Sequence, residues 1–207
     1  AATYGAGENG FEDTFDSEKL KPLNLYGESK VIMDRWVVKQ KITPANWYGL
    51  KFFNVFGPNE YEKGDQASVA FKAYNQIKKT SELGLFKSYN PQYKDGEQLR
   101  DFVYVKQITL WMEELMNKKP ENDIYNMSFG QSRSWLNLAQ ALFKNMNSEL
   151  KINWLEIPDN IKNQYQYYTE ANMNKWFSQN LSKPIWNLES SIEDYVKNYL
   201  SQDDPWL

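Results

Sequence analysis

The chain contains no cysteine and no histidine in 207 residues. The first absence excludes disulfides and thiolate zinc sites; the second removes the commonest metal ligand and the commonest general base. Acid/base chemistry therefore falls to Tyr, Lys, Asp or Glu, and no metal centre is expected. Arginine is scarce, present only as Arg35, Arg100 and Arg133. Net charge is −3 without a basic stripe, which makes nucleic acid and anionic membrane poor partners. No apolar run approaches the roughly 20 residues of a membrane-spanning helix, and no signal peptide opens the chain. No dinucleotide-binding unit, in which a strand leads through a glycine-rich loop into a helix, is read ahead of the motifs described next.

What is present is Tyr26-Gly27-Glu28-Ser29-Lys30, followed by Asn54-Val55-Phe56-Gly57-Pro58. A Tyr-x-x-x-Lys spacing alone means little. With 14 Tyr in the chain and lysine denser still, chance supplies roughly one or two matches. Context separates the two that occur. Tyr74, paired with Lys78, falls in step with Ala67, Ala70, Phe71 and Ile77, the apolar stripe of an amphipathic helix, and is expected in the core. Tyr26 opens a helix after Pro22-Leu23-Asn24-Leu25, where its ring can face a cleft. Lys30 lies one helical turn beyond it, and a cation there favours the phenolate, as a proton shuttle near neutral pH requires.

The remaining pattern alternates helices with strands, which argues an α/β fold. Ala1–Gly5 reads as a strand end entering a turn, a start that suggests a truncated chain, and residues 6–24 read as a polar loop. Apolar residues at Leu25, Ile32, Met33, Trp36 and Val37 predict a helix to about Lys41. Trp47–Val55 reads as a strand buried on both faces, as parallel sheets require. A polar loop over 59–66 precedes a helix from Gln66 to about Thr80. Short strands are expected at Leu83–Lys87, Asp101–Val105, Ile124–Met127 and Ile152–Ile157. Helices are expected over Ile108–Asn117, with Trp111, Met112 and Leu115 on one side, and from a Ser134 cap to about Met146. Ser190–Glu193 reads as a capping box before an Ile192, Tyr195, Val196, Tyr199 stripe.

Taken in order, several segments resemble the extended short-chain dehydrogenase/reductase family of sugar-nucleotide enzymes: Lys21 to Lys30, Phe53 to Pro58, Arg100 to Val105, and Tyr165-Gln166 before Thr169. Lys63-Gly64 followed by Ala67-Ser68-Val69-Ala70-Phe71 is similar to its ADP-heptose 6-epimerase branch. The resemblance implies a Rossmann-like parallel sheet lacking its N-terminal nucleotide-binding strands, plus a small mixed α/β lobe. Residues 1–58 would be the C-terminal part of the NADP-binding domain. Residues 59–207 would be mainly the substrate lobe, with about 101–127 returning to the Rossmann part. It further implies transient oxidation of C6 of an ADP-heptose by bound NADP and return of hydride to the opposite face. Tyr26 and Lys63 would be the two acid/base residues. Lys30 and Val55, with Lys63, would line the cofactor. Asn54, Asp65, Lys72, Phe86, Lys87, Ser88, Tyr89, Arg100 and Tyr165 would face the nucleotide sugar, with Arg100 as the diphosphate partner. Homo-oligomers and a cytoplasmic, lipopolysaccharide-precursor role come with the family.

Asp65, Lys72 and Gln164 depart from the residues common in the family at those positions, so the exact sugar stays open. The family's catalytic Ser or Thr would precede Ala1, and the chain by itself is expected to be inactive. Two rivals stay in view: a nucleotide-sugar 4-epimerase or 4,6-dehydratase, and a non-catalytic nucleotide-sugar-binding protein. Outside the resemblance, Lys63 reads as a solvated surface lysine, and Arg100 as the partner of Asp101 or another acid.

Overall fold

The computed structural model describes every residue except Ala1, Phe15, Asn163, Gln164 and Leu207, so the Gln164 departure lies outside the described residues. In chain order the elements are α1 (Leu25–Val38), β1 (Tyr48–Phe52), β2 (Asn54–Phe56), α2 (Val69–Thr80), β3 (Leu83–Phe86), β4 (Leu99–Tyr104), α3 (Val105–Lys118), β5 (Asp123–Met127), β6 (Ser132–Ser134), α4 (Trp135–Asn145), β7 (Ile152–Leu155), the short α5 (Asp159–Lys162) and α6 (Asn174–Ser178), and α7 (Leu188–Tyr195). The α/β expectation holds. β1 runs parallel to β5, β2 parallel to β4, and β3 parallel to β7; only β6 is antiparallel, on the other side of β4.

Several local expectations are corrected. The Ala2–Tyr4 stretch is a 3-10 turn rather than a strand end, and Tyr61–Gln66 winds into a 3-10 segment rather than an open loop. The apolar run over 47–55 is two strands broken at Phe53, whose halves join different sheets. It is not buried on both faces: Phe52 is exposed and Tyr48 to Leu50 half-buried, and β1 has a strand on one edge only among the described residues. In α1 the apolar period is real, but it faces outward. Leu25 is 83 % exposed, and Ile32, Met33 and Trp36 are more than half exposed, while Val31 and Gly27 face the core. Met112 likewise turns to solvent, leaving Trp111 and Leu115 to pack α3.

The helix starts follow capping chemistry. Asn24 caps α1 by accepting the Gly27 amide, and Ser68 caps α2 by accepting that of Phe71. Ser134 and Asn137 form a reciprocal capping box on α4. The box on α7 is Asn187 with Ser190, three residues upstream of the expected one, since Asn187 is the residue with extended backbone.

Two apolar cores result. One gathers Tyr4, Val31, Phe53, Trp111, Tyr125 and Trp176 beneath α1, α3 and the β1–β5 pair. The other joins α2, α4 and α7 against β3 and β4 through Tyr74, Leu85, Phe102, Leu142 and Ile192. Tyr74 is buried there, with its hydroxyl donating to the Leu200 carbonyl at 2.8 Å, so this second Tyr-x-x-x-Lys is structural. Within the second core Asp194 accepts hydrogen bonds from Lys106 Nζ and the Tyr104 hydroxyl, both at 2.7 Å. Burial raises its carboxyl, but these donors and Asn198 outweigh it and leave the carboxyl below its ordinary 3.8. Its stabilising contribution is therefore full above about pH 4 and lost as pH falls through the lowered value. Asp194→Asn should flatten the acid limb of a stability–pH curve and leave the slope near neutral pH unchanged.

Candidate functional site

Tyr26 sits in the first turn of α1, 65 % exposed, and its hydroxyl has no hydrogen-bond partner among the described residues. Lys30 follows one turn on, its ammonium 5.2 Å from the centre of the Tyr26 ring. Gly27 between them allows α1 to lie against the N-terminal turn; a Cβ there would meet the Ala2 carbonyl oxygen at 2.6 Å. One turn beyond Lys30 is Asp34, which would be a natural partner for that lysine. It is taken instead by Lys51 from β1. The buried Lys51 ammonium pairs with the Asp34 carboxylate and donates to Thr3 Oγ1 at 3.2 Å. Lys30 is thus left with no carboxylate partner among the described residues. Tyr26, Lys30, Thr3, Lys51 and Phe52 line one cavity of about 430 Å³. An unpartnered phenol and ammonium facing a cleft are the chemistry a nicotinamide ribose needs, and the residues present fit that group. Lys51 and Asp34 carry no motif signal; only the pairing in space reveals them.

The letters Gly5-Ala6-Gly7-Glu8-Asn9-Gly10 spell G-x-G-x-x-G, a match that the reading of 6–24 as a plain polar loop passes over. The structure shows no phosphate cradle there. The segment follows a 3-10 turn instead of a strand, and no helix begins at its end. All three glycines have positive φ, and their amides are spent on the Ala2, Tyr4 and Gly7 carbonyls. The pattern closes successive turns, which spends the glycine amides that a pyrophosphate loop would offer.

Lys63 lies exposed on the 3-10 segment between β2 and α2 and is not among the residues lining the Tyr26 cavity. Gly64 beside it takes φ 54°, ψ −126°, a combination that disfavours any side chain. Asp65 and Lys72 come together, Lys72 Nζ donating to the Asp65 carbonyl at 2.8 Å. Asn54 and Val55 lie half-buried in β2, with Val55 packed against the first core.

Arg100 answers the ion-pair expectation in the negative. Its guanidinium is buried but pairs with no carboxylate among the described residues; it donates to the Leu99 carbonyl at 2.8 Å and to that of Gln166. Neighbouring Asp101 points away, accepting backbone amides of Phe129, Gly130 and Ala171. Two rings flank Arg100, Trp135 at 5.5 Å and Tyr165 at 5.3 Å, themselves linked by a Trp135 Nε1 to Tyr165 hydroxyl bond. Desolvation lowers the guanidinium's proton affinity, and an arriving anion would relieve it. Arg100, Tyr165, Asn24 and Ala2 line a cavity of about 250 Å³, and Ala2 also lines the Tyr26 cavity. Next to it, Phe86, Leu85, Val69, Trp135 and Tyr165 form an apolar slot of about 170 Å³. Trp135 is a site residue that the sequence reading omits, since it looks like any first residue of a capped helix. The 87–89 segment is not free: Lys87 Nζ and the Tyr89 hydroxyl both bond Glu156, and Ser88 Oγ donates to the Asn90 carbonyl. No groups of three or more Asp or Glu able to hold a metal ion occur among the described residues, and no helix there is long and apolar enough to cross a membrane.

The sequence profile of the NAD dependent epimerase/dehydratase family matches residues 1–128. The chain belongs to this family. Membership accounts for the parallel strands. Among family relatives, the ADP-L-glycero-D-manno-heptose-6-epimerase of Fusobacterium nucleatum is 44 % identical over 100 % of this chain. The enzyme of the same name from Nitratidesulfovibrio vulgaris is 41 % identical, also over 100 % of the chain. The chain spans 65 % and 64 % of the length of these two relatives. The crystal structure of the Helicobacter pylori ADP-L-glycero-D-manno-heptose-6-epimerase superposes with a TM-score of 0.75 at 27 % identity, covering 96 % of this chain and 57 % of that one. A UDP-N-acetylglucosamine 4-epimerase from Methanobrevibacter ruminantium reaches a TM-score of 0.78 at 21 % identity, with 98 % and 61 % coverage, and shares the epimerase/dehydratase fold.

Proposed function

We propose that the full-length protein is an ADP-heptose 6-epimerase, an isomerase that uses bound NADP and serves lipopolysaccharide-precursor synthesis in the cytoplasm as a homo-oligomer. The observation that carries the reading is one pair of adjoining cavities. One presents a Tyr hydroxyl without a hydrogen-bond partner and a Lys without a carboxylate partner, and the other a buried guanidinium without a counter-ion, each among the described residues. A nucleotide sugar laid across them puts its diphosphate on Arg100, its base in the apolar slot, and its heptose toward Tyr26. The names of the relatives at 41–44 % identity supply the sugar. On this reading the first core belongs to the cofactor domain and the second to the substrate lobe.

Tyr26 and Lys30 would hold the nicotinamide, which when bound would supply reversible hydride exchange with C6. The residues of the chain do the rest. Tyr26 takes the C6 hydroxyl proton of one epimer and returns it. Lys30 holds the ribose. Lys51 keeps Asp34 from quenching that cation. Lys63 handles the proton of the opposite epimer, since one base cannot follow the oxygen through a turnover of the carbonyl in the site.

The test is incubation of the full-length protein with ADP-D-glycero-D-manno-heptose and resolution of the two C6 epimers. Interconversion is expected; none by folded, cofactor-loaded protein would sink the assignment. Arg100→Lys keeps the charge but loses the planar fork, and should raise KM for the nucleotide sugar about tenfold or more, with kcat changed far less.

A further inference from the structure

Glu60 is 4 % exposed, and no lysine or arginine pairs with it among the described residues. A buried carboxylate without a counter-ion is costly unless it is saturated with donors. Glu60 is saturated. Its Oε1 accepts the Gly57 amide at 3.2 Å, the Ser68 hydroxyl at 2.8 Å and the Tyr195 hydroxyl at 3.0 Å; its Oε2 accepts the Ser68 amide at 2.6 Å. Burial, with the Glu60 carboxylate alongside, pushes Tyr195 far above its ordinary 10.0, so that hydroxyl stays a donor.

The partners have a pattern. Gly57 ends β2 and Ser68 caps α2, so one side chain ties together both ends of the segment that carries Lys63. Tyr195 fastens the tie to α7, and the Glu60 carbonyl accepts the amide of Lys63 itself at 3.1 Å. Tyr61 is pinned as well, its hydroxyl bonded to the Pro205 carbonyl and its ring 5.0 Å from Trp206. The crown, Glu62 to Gln66, is left to solvent, as is Asn59. A lysine side chain is long and flexible, so its reach depends on where the backbone beneath it is held.

We propose that Glu60 is the positioning residue that sets where Lys63 presents its ammonium. This rests on the two-base reading above, in which Lys63 serves one C6 epimer and Tyr26 the other. Glu60 then governs the oxidation of one epimer and not that of the other, whereas a merely structural carboxylate would affect both alike.

The experiment uses full-length, cofactor-loaded protein mixed separately with each pure C6 epimer of the ADP-heptose, following the rise of reduced-nicotinamide absorbance. Glu60→Gln suits it, because a glutamine carbonyl in the place of Oε1 keeps three of the four donors and loses only the Ser68 amide. The expected result is a slowing of about tenfold or more for one epimer, the same one slowed by Lys63→Met, with the other changed by less than about twofold. Added to Lys63→Met, Glu60→Gln should cause no further loss. Equal slowing of both epimers, or none, while Lys63→Met stays selective would overturn the role of Glu60 alone. If Lys63→Met itself is not selective, the two-base reading falls and takes this proposal with it. Should Glu60→Gln fail to fold, Ser68→Ala loosens the same end of the segment and is read against the same two outcomes.

Discussion

Tyr26→Phe in the full-length protein is expected to lower epimerisation about 10²–10⁴-fold, the span that removal of a positioned acid/base group produces. The melting temperature should stay at the wild-type value. Both halves of the expectation come from one geometry. The Tyr26 hydroxyl has no partner among the described residues, so the fold loses no hydrogen bond when it goes. The ring stays at the head of α1, and Lys30 keeps its place above it. A parallel fall in stability would mean that Tyr26 is a structural tyrosine like Tyr74, whose hydroxyl holds the Leu200 carbonyl. Epimerisation at the wild-type rate would remove Tyr26 from the chemistry altogether.

The second large effect falls on stability. Asp101→Ala should cost about 3–5 kcal/mol in denaturant unfolding, because it leaves several buried backbone donors unsatisfied. Asp101 is fully buried at the end of the Arg100–Asp101 pair in β4. Its carboxylate collects the amides of Phe129 and Gly130 from one turn and of Ala171 from another, at 3.2, 3.0 and 2.9 Å. Those turns bring 171–181 back onto the first core, so the loss should also loosen Trp176. Asp101→Asn keeps one acceptor and should cost roughly half as much. Burial pushes this carboxyl from its ordinary 3.8 up to about 7. A raised carboxyl binds its proton more tightly folded than unfolded, so its contribution to stability falls as pH climbs from about 4 to 7. That slope should vanish in Asp101→Asn. An Asp101→Ala variant as stable as wild type would show that the turns hold without it.

Much of this was legible from residue order, and the reasons are local. Ser134 caps the helix it precedes because a short polar side chain can reach the free amides of the first turn. Tyr74 could be assigned to the core from its neighbours' period alone. The Tyr26 spacing and the Arg100-Asp101 pair marked their places in the fold before any contact was known.

Where the sequence misled, the missing information was long-range. Periodicity shows that α1 has an apolar side and does not say what lies against it; Ile32, Met33 and Trp36 face outward. Asn187 rather than Ser190 starts α7 because the chain arrives extended at 187, which depends on packing upstream. The letters Gly5 to Gly10 match a phosphate loop, yet the amides of its three glycines are consumed by local turns. Composition and motif order by themselves determined the absence of thiol and imidazole chemistry, the α/β class, and the Tyr26 and Lys30 candidates; Lys63 came only with the family resemblance. Only the tertiary structure decided that Lys51 takes Asp34, that Arg100 has no carboxylate partner among the described residues, and that Glu60 clasps the Lys63 segment. Each is a contact between residues distant in sequence or a charge left unpaired by burial, and such facts exist only once the chain has folded.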